Sequence, residues 1–134
     1  MYFYFNSTYI QYQFLQDLTE FFSWQAYGLR SVNKRWKKIS DQVASGLEQD
    51  YKLTITEADD LLYQILEEKG YEGETFEDLI NGAGKKMLPN FDDILFAHGV
   101  RNSIVYDPNY KLDSEVAKKM LSDYESAIKN LAVS

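Results

Sequence analysis

Cysteine is absent from all 134 residues, which removes disulfide frameworks, thiolate metal sites and cysteine nucleophiles together. There is one histidine, His98, so neither a histidine-rich metal centre nor a conventional catalytic triad is expected, and no metal or other cofactor is implied. Proline is also scarce, with Pro89 and Pro108 the only two, and the seven glycines fall mostly between apolar-periodic stretches. That punctuation reads as helices joined by short turns. Positive charge is in deficit, 14 Lys and Arg against 21 Asp and Glu, for a net charge of -7 and a sequence pI near 4.7. Coating duplex nucleic acid by bulk charge is thereby disfavoured, although a local basic site is not. No EF-hand loop, glycine-rich phosphate loop or nucleophile elbow occurs.

What is present suffices for one core, since 45% of the residues are hydrophobic. The expected fold is all-α, a small bundle of four to five helices with short connections. Ile55, Ala58, Leu61, Leu62, Ile65 and Leu66 recur at helical spacing within 50–69, and Gly70 supplies a left-handed stop. Thr75 with Asp78 is a start signal for a short helix that should end near Gly82 and Gly84. Asn90 is expected to open a helix that runs toward Tyr106, ahead of Pro108. Asp113 or Ser114 then caps a last helix carrying Val116, Met120, Leu121, Tyr124, Ile128 and Leu131. The chain divides into an aromatic and basic stretch, 1–38, and the bundle proper, 39–134, read as one continuous domain.

The first stretch is unusual. Eleven aromatic residues, among them Tyr2, Phe3, Phe21 and Trp24, fall within residues 1–29. Gln11, Gln16, Asp17 and Glu20 interrupt them, which disfavours a membrane-spanning helix, and the lack of a basic run ahead of them weakens a signal peptide. Arg30, Lys34, Arg35, Lys37 and Lys38 follow around Trp36. Three readings fit: a core helix with a solvated basic turn, a membrane-surface segment, or a segment for a partner's groove. The acidic middle, including Glu57, Asp59, Asp60, Glu77 and Asp78, reads as a solvated face. Glu57 and Asp60 can share a helical side; Asp59 cannot join them.

One polar cluster stands out. On a wheel of about 100° per residue, His98, Arg101 and Asn102 fall in an apolar stripe with Ile94, Phe91, Leu95 and Val105. Phe96, Val100 and Ile104 form a second apolar surface, leaving Asp92, Gly99 and Ser103 for water. A buried arginine needs a counterpart: an acid of its own chain such as Glu57, a ligand, or a second copy.

The run Phe96-Ala97-His98-Gly99-Val100-Arg101-Asn102-Ser103-Ile104-Val105-Tyr106 resembles the HEPN superfamily, whose signature is an arginine, commonly followed by a polar residue, with a histidine four to six positions on. The likeness extends from Tyr51 to Ala132 and takes in Glu57-Ala58-Asp59 and Gly70-Tyr71. It implies a helical bundle, often paired about a two-fold axis, with the signature helices lining one cleft. In active members that cleft cuts single-stranded RNA without metal; others bind nucleotides or serve as interaction modules. Carried over, Arg101 binds phosphate and Asn102 orients or hydrogen-bonds. Tyr106 stands where the histidine is expected, and a phenol is a poor proton acceptor near neutrality.

The resulting expectation is a cytoplasmic or membrane-peripheral homodimer that binds single-stranded RNA or a nucleotide, with Arg101, Asn102, Glu57 and Asp60 at the ligand. Its catalytic set, Arg101, His98 and Tyr106, is expected to be degenerate, so the chain is read as a binding protein rather than an enzyme. The alternatives are a dimerisation or membrane-peripheral module, and a metal-independent ribonuclease that uses His98.

Overall fold

Tyr51, Ile55, Ala58, Leu62 and Ile65 recur at alternating steps of four and three residues, the spacing that keeps one side of a helix against a partner. In the computed structural model, which describes residues 30–133, they form the buried side of helix α2 (Glu48–Glu68). Their principal partner is the last helix, α5 (Ser114–Val133), which buries Ala117, Met120, Tyr124, Ala127, Ile128 and Leu131 in a matching repeat. Around this pair lie α1 (residues 30–40), a 3-10 turn (Asp41–Ser45), α3 (Phe76–Met87) and α4 (Phe91–Tyr106). The described residues are all helical, with no strand, and make a small helical bundle.

Several boundaries follow directly from local chemistry. Gly70, at φ 94°, ends α2: the Tyr71 N–H reaches the Leu66 carbonyl and the Gly70 N–H that of Glu67, so two terminal carbonyls are satisfied. Thr75 and Asp78 form a reciprocal capping box at the start of α3. Asp113 accepts from the Val116 N–H and opens α5. The connection before α5 is tied to the start of α2 by Glu48, whose carboxylate accepts from the Leu112 N–H at 2.8 Å. That bond holds the Glu48 carboxyl below its ordinary range.

Two expected helix boundaries hold with added detail, and one expected surface needs correction. The helix opened by Thr75 is broken at Gly84, as the glycine pair led one to expect, where φ is 69° and ψ 178°, a conformation only glycine adopts readily; a further short helical stretch then runs on to Met87. Asn90 opens α4 as expected, its carbonyl accepting from the Ile94 N–H, while its side-chain amide donates to the Asp123 carbonyl on α5 and makes no cap bond. The second apolar surface of α4 is only partly covered: Val100 is buried, whereas Phe96 is 62% exposed.

The 38/39 division falls inside α1, whose Val32 and Trp36 are buried against the bundle. The Trp36 indole donates to Glu125 at 3.1 Å. The basic run is thus helical where a turn was one expectation. Residues 1–29, with the three readings of the aromatic stretch, lie outside the described residues. No described helix is long and apolar enough to cross a membrane.

Candidate functional site

Asp59 follows Ile55 by four residues and precedes Leu62 by three, so α2 carries this carboxylate on its core-facing side, where it is 3% exposed. An ionised group at that depth must be compensated, and α4 and α5 supply the donors. His98 places Nδ1 at 2.9 Å from Asp59 Oδ2, and the Tyr124 hydroxyl donates to the same oxygen at 2.7 Å. Burial first, and the Asp59 charge second, push the Tyr124 phenol far above its ordinary range, so it acts here as a neutral donor. The His98 ring is stacked on Phe76 with centroids 4.0 Å apart and planes 4° from parallel.

The network continues outward with a consistent direction. Arg101 Nη1 donates to Asn102 Oδ1 at 3.2 Å, and Asn102 Nδ2 faces His98 Nε2 at 3.4 Å. With the Asn102 amide facing Nε2, Nδ1 is the ring nitrogen turned to Asp59. Guanidinium, amide, imidazole and carboxylate therefore form one chain of donors and acceptors, closed from the other side by Tyr124. Glu77 stands 3.6 Å from His98 Nε2 at the mouth of the cluster.

Arg101 is held between α4 and α2. Its Nη2 donates to Asp60 Oδ1 at 3.2 Å, while Nε lies 3.7 Å from Asp59 Oδ1 and is buried without a hydrogen bond. The arginine has five N–H donors, two of which are used in these bonds, and its side chain is 24% exposed. Donor capacity remains at an accessible edge.

Of the residues singled out from sequence, the structure brings Arg101, Asn102, His98 and Asp60 together. Glu57 does not meet Arg101: it accepts from the amide of Gln42 in the 3-10 turn and, with Asp60, lines a neighbouring cleft, while Asp59 and Asp60 are the acids that meet Arg101. Tyr106 is also outside the cluster, 82% exposed in the last turn of α4. Five residues after Arg101, it is rotated about 140° around the helix from it. Asp59, Tyr124 and Phe76 were not selected as site residues. For Asp59 the available signal was its spacing from Ile55 and Leu62; for Tyr124 it was a phenol within the apolar stripe of α5.

Asp60 also borders a cleft of about 470 Å³ between α1 and α2, with Arg35 and Lys38 on the opposite wall. Asp60 thus stands between the Arg101 cluster and this cleft, which Arg101 itself does not line. No three His, Asp or Glu side chains among the described residues converge as metal ligands. The chain matches no family model, no curated protein and no solved structure.

Proposed function

We propose that this chain is a HEPN-like helical domain that binds the phosphate of single-stranded RNA or of a nucleotide at the Arg101–Asn102 edge, with cleavage weak or absent. The observation that carries this reading is Asp60, which accepts from Arg101 and also lines the cleft walled by Arg35 and Lys38. A phosphate approaching Arg101 meets a guanidinium with unused donors, and cations of α1 flank the path. Asp60 and Glu77 at the rim limit the affinity, in keeping with the net charge of -7. Weak or absent cleavage follows from the imidazole: both of its nitrogens are engaged, and Tyr106 does not reach the edge.

Fluorescence anisotropy with a labelled single-stranded RNA, at two salt concentrations, tests the proposal. Binding should weaken with salt, and Arg101→Ala should cost about tenfold to a hundredfold, the equivalent of one charge-assisted contact. Arg101→Lys, which keeps a cation there, should lose less. Affinity that ignores both salt and the loss of Arg101, in variants that still show helical circular dichroism, would refute it.

A second reading, an assembly module paired through α4, is favoured by a separate observation. Phe96 and Tyr106 lie exposed on one side of α4, with Gly99 and Ser103 between them. Antiparallel pairing about residue 101 would set Phe96 against Tyr106 of a second copy, and Gly99 against Ser103, the self-complementary pattern of a two-fold interface. This surface lies away from Arg101, so the two readings separate cleanly. Phe96→Ser with Tyr106→Ser should turn a sedimenting dimer into a monomer and leave RNA affinity per chain unchanged.

A further inference from the structure

The basic run on α1 is distributed unequally around its helix. Val32 and Trp36 face the bundle and are buried, Arg35 turns to the cleft, and Arg30, Asn33, Lys34, Lys37 and Lys38 are all exposed. Residues 30–40 include no acid. Only Lys37 of these exposed cations has an ion pair among the described residues, with Asp41 at 2.9 Å. The single aromatic ring of the run, Trp36, is unavailable for stacking, being 6% exposed and bonded to Glu125. Within residues 30–40 the outward side of α1 is therefore a stripe of cations.

We infer that this stripe docks the domain on an anionic lipid bilayer, with Arg30 and Lys34 meeting the headgroups. Two features favour a bilayer over a nucleic-acid strand. Charge complementarity is confined to one side of one helix, which suits a plane, whereas a strand would also meet the negative charge that dominates the rest of the protein. In addition, α1 is immediately preceded by the 29 residues that hold eleven aromatics, and aromatic residues joined to a polybasic stripe supply the two signals that stable membrane attachment requires. The inference does not rest on phosphate binding at Arg101, because Arg30 and Lys34 neither line the α1–α2 cleft nor contact the polar cluster.

The test is co-sedimentation of the full 134-residue chain with vesicles of phosphatidylcholine alone, or of phosphatidylcholine with about a third phosphatidylserine, at low and high salt. Binding should need phosphatidylserine and weaken with salt. Arg30→Gln with Lys34→Gln should lower the partition coefficient about thirty-fold, since each cation near such a surface accounts for roughly fivefold. Circular dichroism of this variant should be unchanged, because both side chains are solvent-facing. Equal binding to neutral vesicles, an unaffected double variant, or no vesicle binding would each overturn the inference. So would a double variant that loses single-stranded RNA binding and not vesicle binding, which would assign the stripe to RNA. Arg101→Ala should leave vesicle binding unchanged, so failure at the stripe and failure at the Arg101 edge are distinguishable.

Discussion

Replacing Tyr124 by phenylalanine removes one oxygen from the fully buried side of α5 and leaves the ring in place. Asp59 then loses the donor at 2.7 Å and retains His98 at 2.9 Å, with Arg101 Nε 3.7 Å away. A hydrogen bond to a charged group is worth about 1.5–3 kcal/mol, and the ring fills the same space, so a loss of about 2 kcal/mol is expected. With a urea slope of about 1.5 kcal/mol per M for a domain of this size, the unfolding midpoint should fall by about 1.3 M. A double-mutant cycle with Asp59→Asn should return a coupling of about 1–2 kcal/mol, since the two side chains touch. The pH dependence is a second readout. Burial and the Asp59 charge raise the phenol in the folded state, so the unfolded chain releases this proton first as pH rises. Stability from this group is complete below about pH 10 and should then decline by about 1.4 kcal/mol per pH unit, a component that Tyr124→Phe lacks. A midpoint unchanged to within about 0.2 M, together with parallel alkaline curves for both proteins, would refute the claim that Tyr124 compensates Asp59.

Other expectations follow from local features. Gly70→Ala places a β-carbon at φ 94° with open space around it, so backbone strain alone should cost about 1 kcal/mol by chemical denaturation. Thr75→Ala removes the acceptor of the Asp78 N–H and should also cost about 1 kcal/mol, with the amides of the first turn of α3 exchanging faster. Trp36→Phe deletes the indole donor to Glu125; unfolding should show a loss near 1 kcal/mol that is not additive with Glu125→Gln.

The fold was legible where periodicity and punctuation agreed. The α2 repeat, Gly70, the Thr75–Asp78 pair and the Asp113 cap each act within a few residues of chain, which is the range sequence patterns report. At Asn90 and Gly84 the boundaries were legible and the detail was not: the Asn90 side chain is drawn to a carbonyl of α5, and a further short helical stretch follows the break at Gly84. At the site, the wheel placed His98 and Arg101 toward the core, because the phase of an amphipathic helix is a local property. Which acid compensates them was not local. It depended on the rotation of α2 against α4, and the 59/60 pair, one facing the core and one the rim, receives the arginine where Glu57 had been the named candidate. Tyr106 was placed by counting from a family signature, whereas the helix turns its side chain outward at that step.

The account depends most on Arg101 having donors to spare at an accessible edge despite its two carboxylate neighbours. Nuclear magnetic resonance of arginine side chains, with the Arg101 Nη–Hη signal assigned from its disappearance in Arg101→Lys, tests this directly when a short single-stranded RNA dinucleotide is titrated in. A saturable shift of that signal, reduced by added salt, is the predicted result. A signal that stays fixed while the dinucleotide binds elsewhere, or fails to bind at all, would contradict the account.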